Sequence, residues 1–159
     1  MLKNGTGSAT GIGPVQVNAA MLGGTGKSGG ALTVGTSTAM GILAPGIGTT
    51  PGTFTVLSKV TFAAASSFKV DVNSSAGTAD KLVAKGVTIK SGAQFFFSDH
   101  GSGTLSSGTV LTLISNTATT AISGRFINLA DGLTFTNGTN TYQVSYHGGD
   151  GNDLTLTVQ

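Results

Sequence analysis

The sequence contains no cysteine and no tryptophan, and only 9% of its 159 residues are charged. Without cysteine the chain can form neither a disulfide framework nor a thiolate metal site. All six acidic residues are Asp, a residue that favours turns over helices. An average soluble domain is about 25% charged, so we expect an unusual surface made mostly of Thr, Ser, Asn and Gly.

Long apolar runs and basic clusters are also missing. No segment approaches the roughly 20 apolar residues of a membrane helix, so we expect no transmembrane segment. Residues 1–5 lack the apolar core of a signal peptide, so if the parent protein is exported, this is an internal fragment with an added Met1. The net charge of +2 comes from scattered residues, whereas nucleic-acid binding needs Lys and Arg on one face. We therefore expect no nucleic-acid partner.

Short runs that alternate apolar with polar residues recur between turns rich in Gly, Ser and Asn. Examples are residues 31–34, 53–56, 67–72, 109–114 and 153–158. No window of ten residues has helical spacing, so the chain is predicted to be all-β. A sandwich, a barrel and a solenoid remain open, and glycine corners with rows of Thr, Asn and Val favour the solenoid. We predict a right-handed parallel β-helix (β-solenoid) over residues 15–159 as a single domain, after an irregular segment at 1–14.

The C-terminal part predicts a hairpin-like end to this fold. Residues 133–146 alternate around Asn137-Gly138, a pair that is typical of a type I′ turn. The same alternation places Tyr142, Val144 and Tyr146 on one face.

The hairpin is followed by Gly148-Gly149-Asp150-Gly151-Asn152-Asp153 and an apolar run. This order resembles the closing segment of autotransporter-associated β-strand repeat proteins. Residues 43–49, 68–83 and 124–132 resemble three earlier elements of that family, in the expected order, whereas residues 1–14 match none. The resemblance implies a right-handed β-helix from the passenger region of an exported bacterial surface protein, on a Gram-negative-type cell and without enzymatic activity.

The same Gly- and Asp-rich stretch resembles a calcium-binding nonapeptide, which makes Asp150, Asn152 and Asp153 candidate calcium ligands. Thr155 stands where the nonapeptide has a large apolar residue, and only one copy is present. We therefore favour a tight turn in which these side chains bond to nearby backbone N–H groups. No other cofactor is expected.

Residue types that could support catalysis are present but poorly arranged. Ser98-Asp99-His100 contains the types of a hydrolytic triad, but adjacent strand residues point to opposite faces. Gly23 to Ser28 resembles a phosphate-binding loop, yet it lacks the first Gly and a following helix. The Asp residues are dispersed along the chain. We therefore expect no catalytic residues, and a polysaccharide-degrading enzyme is the least favoured reading.

These observations favour a structural or adhesive segment, a stiff β-solenoid rod that self-associates end to end into filaments through open sheet edges. The alternative is a carbohydrate-binding adhesin that contacts a surface glycan through an exposed ring, with Phe96 and Tyr146 as candidates. Alternation across Phe95-Phe96-Phe97 buries two rings and leaves Phe96 facing outward.

Overall fold

All 159 residues are described by a computed structural model, which contains sixteen β-strands and no helix. The prediction of an all-β chain is confirmed. The structure accordingly has no helix that could cross a membrane. The strands form three sheets that surround one core.

The smallest sheet is parallel throughout. In spatial order it consists of β1 (Val15–Val17), β4 (Leu32–Val34), β7 (Val60–Phe62) and β11 (Val87–Ile89). Each strand places two apolar residues toward the core and one polar residue outward, as a period of two requires. The outer residues Thr33, Thr61 and Thr88 therefore lie in one row across the strands.

The second sheet has five strands and carries the groove described below. Its parallel strands are β2 (Ala20–Gly24), β5 (Gly41–Pro45), β8 (Ser66–Asn73) and β12 (Gln94–Asp99), and the short β9 (Thr78–Ala79) pairs antiparallel with β8. In β8 the side chains of Phe68, Val70 and Val72 are fully buried. Lys69 and Asp71, which alternate with them, therefore belong to the outer face.

The third sheet has seven strands and changes direction part-way. Its parallel strands are β3 (Lys27–Ser28), β6 (Thr53–Val56), β10 (Lys81–Ala84) and β13 (Val110–Asn116). Its antiparallel strands are β14 (Thr134–Asn137), β15 (Asn140–Gly148) and β16 (Asp153–Val158). β16 lies between β13 and β15, so the antiparallel strands extend the sheet past its last parallel member.

The prediction of a single right-handed parallel β-helix is wrong. The three sheets contain both parallel and antiparallel pairs, and the last three strands are all antiparallel. The physical reason lies in the length of the connections. Only short turns separate β14 from β15 and β15 from β16, and such turns can join antiparallel strands but not parallel ones.

The antiparallel hairpin contains a turn different from the one expected. β14 and β15 pair from Thr134↔Gln143 to Asn137↔Asn140, which leaves Gly138 and Thr139 as the loop. Only Gly138 has a positive φ, at 59°. This pattern is that of a type II′ turn, which has Gly at its first central position, rather than type I′. Tyr142, Val144 and Tyr146 share the buried face of β15.

Aromatic rings fill the centre of the core, which is one cluster of 29 buried apolar residues. Phe126 enters it from the segment between β13 and β14. Its ring centroid lies 5.2 Å from that of Phe62, 5.9 Å from that of Phe68 and 6.0 Å from that of Phe95. Phe126 therefore closes the core at the end where the parallel strands stop.

We expect Phe126→Ala to lower the free energy of unfolding by about 3–5 kcal/mol, because the deletion leaves a cavity among three rings. The matched control is Phe96→Ala, since Phe96 is 48% exposed, and it should cost less than about 1 kcal/mol. Urea unfolding of both variants measures the difference. Equal losses would show that Phe126 does not close the core.

Candidate functional site

The outer face of the five-stranded sheet carries the most developed surface feature of the molecule. Strand register aligns Phe96 of β12 with Lys69 of β8, and Ser98 with Asp71. Ile42 of β5 is aligned with Ser67 of β8. Because parallel strands in register keep their outward side chains in rows, apolar, hydroxyl and charged groups meet on one surface.

These side chains line a cavity of about 280 Å³, which we call the outer groove. Its lining residues are Met40, Ile42, Ser67, Lys69, Phe96, Phe97 and Ser98. The Ser67 hydroxyl is buried in this wall and has no hydrogen-bond partner. An unpaired buried hydroxyl costs about 1–3 kcal/mol, so Ser67 is a destabilising polar group within the wall of the groove.

A charged cluster borders the outer groove. The Lys69 Nζ donates to both carboxylate oxygens of Asp71 at 2.9 Å, and His100 Nε2 lies 3.1 Å from Asp71 Oδ1. The Asp71 side chain is only 3% exposed, whereas Lys69 and His100 are about one-third exposed. The carboxylate is therefore held between two cationic or hydrogen-bonding groups that reach solvent.

A second cavity, of about 210 Å³, continues on the other side of Lys69. Met1, Met21, Ala44, Lys69 and Asp71 are among the residues that line it. Since Lys69 lines both cavities, its ammonium group stands between them. Together the two cavities extend across β2, β5, β8 and β12.

Asp80 lies behind this cluster and is completely buried. Its Oδ1 accepts the Gly52 N–H at 2.8 Å and its Oδ2 accepts the Asp71 N–H at 3.0 Å. Burial raises the pKa of Asp80 to about 6, the two backbone hydrogen bonds oppose that shift, and the charge of Asp71 adds to it. Both oxygens are thus engaged in holding the backbone, and neither faces the groove.

The candidate calcium ligands occupy different environments. Asp153 is buried and its Oδ1 accepts the Asn116 N–H at 2.8 Å. The Asn152 Nδ2 donates to the Ala118 carbonyl at 2.6 Å, and its Oδ1 is buried without a partner. Asp150 is exposed. Two of the three side chains therefore anchor the turn, Asp153 to the last residue of β13 and Asn152 to the segment after it, and calcium binding stays a prediction.

The two candidate aromatic contacts differ in accessibility. Phe96 projects from the sheet and is 48% exposed, as alternation predicts. Tyr146 is 3% exposed, and its hydroxyl donates to the Leu129 carbonyl and accepts the Phe126 N–H. Burial raises the pKa of Tyr146 to about 12. The Tyr146 ring is therefore part of the core, where a bound ligand does not reach it.

The Asp residues are dispersed along the sequence, but the structure brings Asp71 and Asp80 together across the β8–β9 hairpin. The alternation of apolar and polar residues around Phe68 predicts that Lys69 and Asp71 share an outer face. No sequence pattern predicts the contact between His100 and Asp71, because it forms only through the register of β12 on β8. No group of three or more His, Cys, Asp or Glu side chains is arranged to hold a metal ion.

No protein-family model, curated protein or solved structure matches this chain. The resemblance to autotransporter-associated repeat proteins therefore stays a prediction, and functional conclusions must rest on the chain's own geometry.

We expect the free energy of unfolding to fall as pH rises from about 4 to about 6. The raised pKa of Asp80 means that the folded chain binds a proton more tightly than the unfolded chain in this window. The difference of about two pKa units corresponds to roughly 2–3 kcal/mol. In Asp80→Asn this part of the slope should vanish. Urea unfolding at several pH values measures it, and identical slopes in both proteins would contradict the assignment.

Asp153→Ala should lower the free energy of unfolding by about 1–3 kcal/mol, because the buried Asn116 N–H loses its acceptor. The control Asp150→Ala removes an exposed side chain and should cost less than about 0.5 kcal/mol. We expect neither value to change when calcium replaces a chelator. A rise in thermal stability with calcium that Asp150→Ala abolishes would instead establish a calcium site.

Proposed function

We propose that this chain is a non-catalytic structural segment of a secreted bacterial surface protein, and that it joins further β-structure along the edge of β1. The observation that carries the proposal is a difference between the edge strands: some are hydrogen-bonded on their outer side and others are not. Later residues bond to the last parallel strand of each sheet, whereas β1 has a strand partner on one side only. β14, the outermost strand of the seven-stranded sheet, also has a single strand partner, β15.

Three different interactions occupy the outer sides of β13, β11 and β12, the last parallel strands of the three sheets. β13 pairs with the antiparallel β16 along its length. The Ser123 backbone bonds to β11, through Ser123 N to Val87 O at 3.0 Å and Ile89 N to Ser123 O at 2.7 Å. The Asn128 carboxamide imitates a strand beside β12, because its Nδ2 donates to the Phe95 carbonyl at 2.7 Å and its Oδ1 accepts the Phe95 N–H at 2.8 Å. Strand addition to β11, to β13 and at Phe95 of β12 is therefore obstructed.

The N-terminal segment covers part of the near edges. Leu2 N–H donates to the Gly23 carbonyl at 2.8 Å, at the end of β2. At β3, the Lys27 N–H donates to Asn4 Oδ1 at 2.7 Å and the Lys27 carbonyl accepts the Ala9 N–H at 2.9 Å. Residues 1–14 form no strand of their own, but they satisfy these backbone groups.

β1 is left open. Val15 N–H donates to the Ala31 carbonyl and the Val17 carbonyl accepts the Gly35 N–H, both at 2.8 Å, so these two residues face β4. Because backbone groups alternate in direction along a strand, the N–H and C=O of Gln16 face away from β4. They form the unpaired edge that an incoming strand requires.

The open edge of β1 determines how copies of the chain associate through it. When two copies pair through their β1 edges, that edge is occupied in both copies, so association through β1 alone stops at pairs. The weakly charged surface, the absence of cysteine and the resemblance to passenger segments support a role outside the cell. The absence of a clustered set of reactive side chains in the outer groove, other than the paired Lys69, Asp71 and His100, supports a non-catalytic role.

We expect the protein to form dimers through β1 as its concentration rises. Gln16→Pro should abolish dimer formation, because proline removes the outward N–H while remaining compatible with an edge strand. Gln16→Ala is the matched control, since it loses the side-chain bonds of Gln16 to Gly35 and Asn18 but keeps the backbone donor. Sedimentation velocity measures all three proteins. Monomers at every concentration, or dimers of Gln16→Pro, would each contradict edge pairing at β1.

A further inference from the structure

We propose that the outer groove is a binding site for a neutral carbohydrate chain, with one pyranose ring stacked on Phe96 and a ring hydroxyl bonded to the Lys69 ammonium group. This inference concerns a different surface from the β1 edge. The two proposals can therefore fail separately.

The Phe96 ring is available for stacking because the core does not use it. Phe95 and Phe97, its neighbours in β12, pack against other rings, Phe95 against Phe68 and Phe97 against Phe135. Phe96 is half-exposed on a flat sheet and takes part in no aromatic pair. The face of an aromatic ring carries negative charge and attracts polarised C–H groups, which line one side of a pyranose. Such a surface fits a sugar better than it fits a charged peptide.

The charges beside Phe96 favour a neutral ligand. Lys69 and Asp71 neutralise each other at 2.9 Å, so the groove has no strong net charge with which to attract an ion. An anionic ligand approaching Lys69 would also meet the Asp71 carboxylate. A sugar hydroxyl, by contrast, carries no charge and can accept a hydrogen bond from the Lys69 ammonium group, which has three N–H donors and uses two of them on Asp71. The exposed part of His100 adds a further hydrogen-bonding nitrogen next to Asp71.

The Ser67 side chain forms part of the wall of the groove. It is aligned with Ile42 of the neighbouring strand and precedes Lys69 by two residues on the same face. Its hydroxyl oxygen is buried and makes no hydrogen bond within the protein. A ring seated on Phe96 would therefore pack against Ser67 without bonding to that oxygen.

The groove is long enough for more than one sugar ring. The cavities on either side of Lys69 together cross four strands, and neighbouring strands are about 4.8 Å apart, so the surface spans about 14 Å. Lys69 lies between the two cavities. It can thus contact the link between one ring on Phe96 and the next ring toward Met21.

The experiment titrates the full chain, labelled for NMR, with neutral oligosaccharides built from glucose, from mannose and from N-acetylglucosamine. Oligogalacturonate and an apolar peptide serve as the anionic and peptide arms. We expect saturable shifts of Phe96, Lys69 and Ser67 with at least one neutral oligosaccharide and none with the other two arms. Phe96→Ala should weaken binding by about tenfold or more, because a central stacking ring is lost.

Matched variants separate binding from folding. Phe96→Tyr keeps an exposed ring and should bind as the wild type does, whereas Lys69→Met keeps the stem, loses the ammonium group and should bind more weakly. Leu57→Ala removes an equally exposed apolar side chain away from the groove and should change nothing. Gln16→Pro, which tests the β1 edge, should bind the oligosaccharide normally. The proposal is overturned if no neutral oligosaccharide shifts the groove residues, if an anionic or peptide ligand binds there instead, or if Phe96→Ala binds like the wild type.

Discussion

The register between distant parallel strands is the constraint on which the rest of this structure depends. Leu32 pairs with Val60 and Val60 with Val87, so apolar side chains from three remote parts of the chain form one inner row. In the five-stranded sheet the same rule aligns Phe68 with Phe95. A slip of one residue would turn Lys69 and Asp71 into the core and expose Phe68 and Val70. Core packing and the outer groove are therefore two results of a single register.

The pattern of residues predicts the strands and their inner faces, but it does not predict which strands pair with each other. Alternation around Phe68 and Phe95 identified strands and their inner faces, because it depends only on the period of two. Which strand neighbours which depends on loop lengths and on the shape of the whole core. That dependence explains why the parallel β-helix prediction failed at β14 to β16, where short turns impose antiparallel pairing. It also explains the turn type, since Asn137 ended as the last strand residue and Gly138 became the first loop residue.

The candidate site shows the same division. The outward position of Phe96 follows from its neighbours in the sequence, but Lys69, Asp71 and His100 become a cluster only after β12 has paired with β8. Asp80 looked like one more turn residue, whereas in the structure it is a completely buried acid that bonds to the backbone of Gly52 and Asp71. The buried carboxyl thus ties the loop before β6 to the strand that carries the groove. Tyr146 is buried beside Phe126, which reaches the core from an irregular segment. No local sequence pattern predicts this contact.

The arrangement of strand directions also bears on the order in which the chain acquires structure. β15 and β16 are separated by a few residues, so their pairing closes a small loop and can form within microseconds, whereas each parallel pair must first bring together segments far apart in the chain. The hairpin follows all the parallel strands in the sequence. During synthesis from the N terminus, the parallel strands therefore leave the ribosome before the C-terminal hairpin, which can form quickly and pairs with β13. A nascent chain halted before β15 would hold exposed, unpaired β-segments, which makes the completion of translation itself a step in the folding of this protein.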